Sequence, residues 1–393
     1  MQPISGRIPE LDGLRGIAIA TVMACHAGVY VKFGWAPLDR FLSAGWSGVD
    51  LFFVLSGFLI GGILLDQRES TGYFPAFYAR RVFRILPPYL LVLLGYGLTW
   101  LISSHSESLR YDLVSMVGRP MPWWVYLTFT NNIFEAFHGP FYFLPITWSL
   151  AVEEQFYLSF PLLVRLLSRR GVTALVGFGI LEVMALRTAA CVSGVVNQNQ
   201  AYMLPLFRAD ILLIGVGCAL VARSRPLTSL VRKWRYGLYA TLAVLVLAMF
   251  RVGWWLPADR ESPATPLMEY GLTVLGLFYG GILLTSILAC PAWLSRALRW
   301  RPLRWLGGVS YFVYLAHQPL LFAALKALPE LHGVQRRLGE IAAIVVAYAV
   351  TLVAAQLSWR YYESKMLRLG HRWKYGESTR DEEELPPVQQ VAA

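Results

Sequence analysis

Ten apolar runs, each long enough to cross a lipid bilayer, dominate this sequence. A transmembrane helix needs roughly 17–25 consecutive, mostly apolar residues. In lipid, such a run folds as a helix because its backbone polar groups must pair internally. The sequence therefore predicts an all-α, polytopic integral membrane helical bundle of about ten transmembrane helices. The runs lie near residues 12–30, 46–66, 84–104, 147–168, 172–192, 203–222, 236–254, 267–289, 305–326 and 339–361.

The composition supports a membrane protein and argues against binding of nucleic acid. Of the 393 residues, 56% are hydrophobic and 15% are charged, whereas a soluble domain carries about 25% charged residues. The formal net charge is +11, but the basic residues lie in short loops between apolar runs, so no nucleic-acid partner is expected. The four cysteines match no disulfide or zinc spacing, and we predict no metal site.

Basic residues alternate along the loops and predict the orientation. The loops after every second run are rich in Arg and Lys, as around Arg80–Arg84 and Arg296–Arg304. The positive-inside rule makes these loops cytoplasmic. We therefore expect a multi-pass protein of the cytoplasmic (inner) membrane with both termini in the cytoplasm, a membrane domain over residues 1–374 and a disordered cytoplasmic tail over 375–393, with no fused soluble domain. The aromatic-rich segment 105–146 is expected to fold back against the membrane, with a short extra span as the alternative.

The first apolar run carries an arginine and a histidine on one face. Arg15 and His26 are eleven residues apart, which places them within roughly 20° of each other around a helix. The helix rise separates them by about 16 Å. Ionisable groups inside a membrane helix are costly unless they line a polar cavity. An imidazole with a pKa of ~6.5 suits proton transfer, so His26 is the candidate general base. The alternative is a packed ring that donates to a neighbouring carbonyl.

Further ionisable residues lie at comparable depth in other runs. Asp50 opens the second run and Glu153 lies about one turn into the fourth. Either carboxylate is a candidate to orient the His26 ring, with Glu153 ranked ahead of Asp50. An interfacial carboxylate in contact with water is the alternative for Glu153. Four further residues are expected to line the same polar pocket: Tyr157, His317, Ser310 and Tyr311.

A cluster of arginines precedes the third run. Arg80, Arg81 and Arg84 are three or four residues apart, so a helix would present them together. Guanidinium groups bind phosphate bidentately, and Arg15 lies at a similar depth near the predicted cytoplasmic face. These residues are candidate contacts to a phosphate-bearing ligand. Plain positive-inside charge, or contact with lipid phosphates, is the alternative.

Together these motifs resemble the acyltransferase-3 family of polytopic membrane O-acyltransferases. That family includes bacterial enzymes that acetylate cell-surface and secreted polysaccharides. The resemblance covers nearly all of residues 8–365. Four motifs carry it, in chain order: Arg15 and His26 separated by ten residues, Arg81 and Arg84 separated by two, the Ser-Leu-x-x-Glu-x-x-Phe-Tyr block within Trp148–Tyr157, and the Ser-Tyr-x-x-Tyr-Leu-x-His block Ser310–His317.

The resemblance implies a donor, an acceptor class and a place for the site residues. It implies ten core helices and acyl-CoA as donor substrate, acetyl-CoA being favoured, with a hydroxyl of a glycan as acceptor. From the residues themselves, we expect His26 to act on the acceptor, with Arg15 as a further catalytic candidate. The expected donor contacts are Arg15, Arg80, Arg81 and Arg84. Some relatives carry a fused extracytoplasmic esterase-like domain. We expect this chain to lack one, so that any such transfer partner would be a separate protein.

Two other functions use the same residues. One is an O-acyltransferase that acts on a small molecule or a lipid head group. The other is a transporter of an anionic solute, in which the arginines and carboxylates form the pathway. Transporters are commonly built from internal repeats, and the sequence has no obvious one. The transferase interpretation is therefore favoured over the transporter.

Overall fold

The structure is a computed structural model that describes residues 8–103, 105–107, 120–139, 143–252, 265–330 and 332–376. Across these ranges the fold is helical, with no β-strand. Short 3₁₀ turns occur at Ala44–Ser47, Pro145–Thr147 and Pro205–Phe207, and π-helical turns at Leu267–Gly271 and Trp359–Glu363. The α-helices are α1 Pro9–Tyr30, α2 Ala36–Ser43, α3 Gly48–Asp66, α4 Tyr73–Ser103, α5 Trp123–Leu127, α6 Asn131–His138, α7 Trp148–Leu166, α8 Arg169–Val192, α9 Gln198–Met203, α10 Ala209–Arg223, α11 Arg225–Lys233, α12 Arg235–Val252, α13 Leu272–Leu288, α14 Ala292–Leu298, α15 Arg301–Lys326, α16 Gly333–Ser358 and α17 Ser364–Gly370.

The predicted all-α polytopic bundle is confirmed, but the count of ten spans is not. Seven helical stretches in the described ranges are long and apolar enough to cross a membrane. An eighth is obtained if α10 and α11, which bend by 96° at their junction, form one broken span. Two predicted spans are not among these helices. The apolar part of α12 is too short, and α7 carries three charged residues, Glu153, Glu154 and Arg165, within its 19 residues. The inward position of the termini stays a prediction.

The aromatic-rich segment forms two short helices over its described part. Helices α5 and α6 have five and eight residues, too few for the roughly 20 that a span requires. Helix α6 packs against α7 and α9, where Asn132 donates to the Gln155 side chain (3.2 Å) and Asn199 donates to the Glu135 carbonyl oxygen (2.9 Å). The extra span is therefore not formed by residues 123–138.

Glycines allow the central helices to approach closely. A Cβ added at Gly57 of α3 would lie 2.0 Å from the carbonyl oxygen of Leu212 in α10. One added at Gly307 of α15 would lie 1.9 Å from the carbonyl oxygen of Asp12 in α1. Helices in lipid associate through such close contacts, because lipid is as apolar as their own side chains. Packing of this kind holds α3 against α10 and α15 against α1.

Helix α4 begins at Tyr73, well before the apolar run predicted from residue 84. The arginine cluster Arg80–Arg84 therefore lies inside a helix, as its spacing predicted. Pro87 and Pro88 also lie within α4, and proline removes the backbone donor at its position. The Tyr311 hydroxyl of α15 donates to the carbonyl oxygen of Ile85 (3.0 Å), in the turn before the prolines. This bond ties α4 to α15 beside the arginines.

The described chain ends with a segment that packs on the bundle. The backbone nitrogen of Gly376 donates to the carbonyl oxygen of Thr71 (2.9 Å). The first two residues of the predicted tail, 375 and 376, therefore contact the membrane domain. The rest of that tail, 377–393, lies outside the described residues.

Candidate active site

A cavity of about 230 Å³ lies between α1, α3, α4, α7 and α15. One wall is apolar and comes from α3, with Phe52, Leu55, Leu59 and Ile60 among its residues. The other walls are polar and come from four different helices. The cavity thus combines a surface for an alkyl-like chain with groups that bind charge. Its polar lining residues are Arg15, Ser56, Arg81, Arg84, Ser149, Glu153, Tyr157, Ser310, Tyr311 and Tyr314.

Three guanidinium groups of this cavity face one another. Arg84 experiences repulsion from both Arg15 and Arg81, and Arg15 from Arg81. Acidic groups lie beside both. Asp12 lies 3.8 Å from Arg15, and its attraction exceeds the repulsion from Arg81. At Arg84, the repulsion from Arg15 exceeds the attraction of Glu363. Like charges held together destabilise a fold unless an anion joins them. Guanidinium groups gathered at a cavity in this way are able to bind an anion.

Glu153 lies on the cavity wall, within a small hydrogen-bonded group. The Tyr157 hydroxyl donates to Oε2 of Glu153 (2.9 Å) and contacts the Ser56 hydroxyl of α3. Glu153 also interacts favourably with Arg15 and Arg81. The structure therefore brings together three predicted site residues, Arg15, Glu153 and Tyr157.

Residues of the late motif close the cavity on the α15 side. The Tyr314 hydroxyl donates to the carbonyl oxygen of Ile146 (2.9 Å) and lies 2.8 Å from the Ser149 hydroxyl. Ser310 donates to the carbonyl oxygen of Gly307 (2.9 Å). Ser310 and Tyr311 both line the cavity, as predicted for a polar pocket.

A second cavity of about 120 Å³ adjoins the first and shares Ile63, Arg81 and Arg84 with it. Arg80 lines this second cavity, together with two residues that sequence reasoning missed, His371 and Tyr375. Both follow α17, in a stretch whose basic residues looked like ordinary positive-inside charge.

The Tyr375 ring covers the Arg80 side chain at the second cavity. The ring centroid lies 4.7 Å from the guanidinium carbon, and Arg80 Nε donates to the carbonyl oxygen of Trp373 (3.1 Å). Burial raises the pKa of the Tyr375 hydroxyl above its usual value, and the positive charges of Arg80 and Arg81 oppose that shift. The tyrosine is therefore neutral near pH 7 and presents a π face to the arginine.

His26 lies near the end of α1, beyond the lining of the first cavity. Its Nδ1 lies 2.8 Å from Nε2 of His317, and the two rings meet edge to edge, with centroids 5.0 Å apart. The His317 ring lies 6.1 Å from that of Tyr314, which does line the cavity. Tyr314 thus lies between the cavity and the histidine pair. The structure places His317 at Nδ1 of His26.

Asp50 forms a buried ion pair with Arg208 of the segment before α10. Both side chains are 0% exposed, and Nη2 of Arg208 contacts Oδ1 of Asp50. Three rings, those of Phe53, Trp148 and Tyr202, lie 4.9–5.7 Å from the Arg208 guanidinium carbon. A neighbouring buried pair joins Arg187 to Asp210 at 3.0 Å. The predicted catalytic candidate Asp50 is thus held in a paired network.

The described residues contain no group of three or more His, Cys, Asp or Glu side chains that could hold a metal ion. No disulfide bond forms among the four cysteines, all of which lie in the described ranges: Cys25, Cys191, Cys218 and Cys290.

A sequence profile of the acyltransferase-3 family, described as an acyltransferase domain, matches residues 8–360. The chain belongs to this family. Within it, YrhL of Bacillus subtilis, provisionally named a peptidoglycan O-acetyltransferase, is 31% identical over 400 residues, covering 93% of this chain and 56% of YrhL. The peptidoglycan O-acetyltransferase OatA of Listeria monocytogenes is 30% identical over 377 residues, covering 92% of this chain and 56% of OatA.

The chain therefore spans little more than half the length of these relatives. No solved structure matches it. Membership of the family agrees with the resemblance carried by the four motifs.

Proposed function

We propose that this protein transfers an acetyl group from acetyl-CoA to a hydroxyl of a cell-surface glycan, with peptidoglycan as the favoured acceptor. One observation carries the proposal: Arg15, Arg81 and Arg84 converge on a cavity that also has an apolar wall. Membership of the acyltransferase-3 family supports acyl transfer, and the names of YrhL and OatA support the acceptor class.

The arginines bind the phosphates of the donor in this account. Coenzyme A carries a 3′-phosphate and a pyrophosphate, so its head group needs several cationic contacts. Arg81 and Arg84 lie where the two cavities meet, and Arg80 lines the second cavity. Arginine forks bind phosphate oxygens in pairs, which a lysine does not reproduce. The predicted orientation puts this end of the bundle in the cytoplasm, where the donor is kept.

The acyl end of the donor points away from the arginines, along the apolar wall of α3. Arg15 and His26 lie on one continuous helix, α1, so the helix rise again gives about 16 Å between them. An extended pantetheine arm has about that reach. The head group can then stay at the arginines while the thioester approaches the histidine pair past Tyr314.

His26 acts as general base at the thioester. Its Nε2 takes the proton of the acceptor hydroxyl while that oxygen bonds to the acyl carbon. The carbon–sulfur bond then breaks, and the proton passes to the leaving thiolate, giving the acetyl ester and free coenzyme A. Glu153 balances part of the arginine charge before the donor binds, and Asp50 holds the fold through Arg208.

Covalent transfer of labelled acetyl groups from one side of a membrane to an acceptor on the other side tests this function directly. Purified protein is reconstituted in vesicles with radiolabelled acetyl-CoA on the side of the arginines and soluble peptidoglycan fragments on the other. We expect alkali-labile label on the fragments and free coenzyme A in equal amount. Label on a lipid head group or added small molecule would support the alternative acceptor. An anionic solute crossing without any covalent label would overturn the transferase.

Because the relatives are longer than the part that matches this chain, the experiment includes one further condition. YrhL and OatA extend well beyond the matched part, so the proposal includes transfer through an extracytoplasmic domain or partner. Vesicles are therefore assayed with and without an extract of extracytoplasmic proteins. Label that reaches the fragments only with the extract would support transfer through such a partner.

A further inference from the structure

We infer that His317 is a positioning residue, which fixes the tautomer of His26 so that Nε2 of His26 carries the basic lone pair. This inference deepens the proposed function, because it assumes that His26 takes a proton. It rests on the hydrogen bonds of the buried His317 ring on α15. The family motifs assign no role to this ring.

The orientation of His317 is set by two backbone carbonyls of its own helix. Its Nδ1 lies 2.8 Å from the carbonyl oxygens of both Val313 and Tyr314. A carbonyl oxygen only accepts hydrogen bonds. Nδ1 of His317 must therefore carry a hydrogen that points between these two oxygens. In the neutral ring the other nitrogen, Nε2, is then an acceptor.

That acceptor faces His26. Nε2 of His317 lies 2.8 Å from Nδ1 of His26, so the hydrogen of this bond belongs to His26. A neutral His26 then has its hydrogen on Nδ1 and its lone pair on Nε2. The relay of donors thus begins at His26 and ends at the backbone of α15, and it needs no carboxylate.

Burial keeps His317 neutral in this role. The residue is 0% exposed, and both ring nitrogens are engaged, one by the carbonyls and one by His26. A second proton on this ring would bring charge into a low-dielectric site. When His26 takes the proton of the acceptor, its Nδ1–H bond to His317 becomes charge-assisted and shorter. His317 thereby stabilises the imidazolium form that the reaction creates.

The near-coplanar arrangement of the two rings fixes the direction of Nε2 of His26. The two planes are inclined by 22°, and Tyr314 packs against His317 at 48°. His317 is therefore held at Nδ1 by the carbonyl oxygens of its own helix and at Nε2 by His26 of α1. A base held in this way needs no reorganisation when the acyl group arrives.

Two variants of His317 separate the hydrogen bond from mere packing. His317→Gln keeps a side-chain carbonyl oxygen that can accept from Nδ1 of His26, whereas His317→Leu fills similar space without an acceptor. Loss of the group that sets a catalytic histidine's tautomer costs on the order of 10²–10⁴-fold in kcat. We expect His317→Leu to lose at least ~100-fold in kcat with an unchanged KM for acetyl-CoA, and His317→Gln to recover part of that loss.

The matched control is Thr351→Val in α16. Thr351 is also 0% exposed and donates to a carbonyl oxygen of its own helix, that of Ala347 (2.7 Å). Its replacement removes a buried polar group without touching the histidines, and kcat should stay near that of the wild type. Equal losses for His317→Leu and His317→Gln, both with wild-type melting temperature, would overturn the inference.

A tautomer measurement keeps this result apart from the proposed function. Nitrogen-15 spectra of histidine-labelled protein report which ring nitrogen carries hydrogen, with His26→Ala used to assign the His26 signals. We expect hydrogen on Nδ1 of His26 in the wild type and a shift towards Nε2 in His317→Leu. Hydrogen on Nε2 in the wild type would overturn the role of His317 while leaving acyl transfer untouched. Conversely, the expected spectra together with full activity of His26→Ala would support the hydrogen-bond relay between His317 and His26. That result would show that His26 is not the general base.

Discussion

Two groups of buried charge in this molecule are built in opposite ways. Around Asp50 and Arg208, each charge has a partner of opposite sign, and the side chains are fully buried. Around Arg15, Arg81 and Arg84, like charges gather at a cavity. Breaking a buried pair is costly to the fold, because it leaves one charge buried without its counter-charge. In the cluster, Arg84 is repelled by both Arg15 and Arg81, and a bound anion would relieve that repulsion.

The largest expected effect comes from breaking the paired network. Arg208→Met leaves the Asp50 carboxylate buried without its cation, which costs about 3–5 kcal/mol in the free energy of unfolding. The double variant with Asp50→Leu should recover most of that loss, because neither charge is then present. Chemical denaturation in detergent measures both.

An exposed ion pair provides the control for this variant. Arg336 pairs with Glu340 one helical turn away, with the Arg336 side chain 68% exposed. Arg336→Met should change the free energy of unfolding by less than about 0.5 kcal/mol. If Arg208→Met proved as stable as Arg336→Met, the structural role of the network would be wrong.

Breaking the like-charged cluster should instead lower binding and spare the fold. Arg84→Ala removes a charge-assisted contact to phosphate worth about 1.5–3 kcal/mol, so the Kd for acetyl-CoA should rise about 10–100-fold. Arg84→Lys should restore little, because the planar fork is lost. Calorimetric titration of the purified protein measures the Kd.

The melting temperature sharpens the contrast between the two groups. Arg84→Ala relieves repulsion and should melt no lower than the wild type, whereas Arg208→Met should melt far lower. Arg169→Ala, an exposed arginine at the start of α8, controls for loss of positive charge in general. An unchanged Kd in folded Arg84→Ala would remove the cavity arginines from donor binding.

The smallest effect is expected at the edge of the cluster. Tyr375→Ala removes the ring that covers Arg80, and a partly exposed cation–π contact is worth about 0.5–1 kcal/mol. The Kd for acetyl-CoA should therefore rise about 2–5-fold. Tyr375→Phe keeps the ring and should bind like the wild type. A Phe variant as weak as the Ala variant would point to the hydroxyl instead.

Apolar runs predicted the helices well because length and hydropathy are local properties. The same reasoning located Arg81 and Arg84 on one helix, since their spacing is a property of the helix itself. It placed the start of α4 too late, because the basic turns before residue 84 are not apolar. Those turns continue the helix to Tyr73 all the same.

Partners far apart in the chain could not be predicted. Asp50 and Arg208 are 158 positions apart, and His26 and His317 are 291 apart. A single sequence shows that each of these ionisable side chains is costly in lipid. It does not show which of them pair with each other. The sequence therefore suggested Glu153 as the residue beside the His26 ring, whereas Glu153 hydrogen-bonds with Tyr157 on the cavity wall.

The rate of acyl transfer by His26→Ala, measured beside its Kd for acetyl-CoA, tests the central claim most directly. The account predicts loss of transfer with an unchanged Kd, because the arginines bind the donor and His26 acts only on the acceptor. Glu153→Gln, assayed in parallel, should lower the rate less. Turnover near that of the wild type by folded His26→Ala would contradict histidine catalysis and leave His26 as a packed ring beside His317.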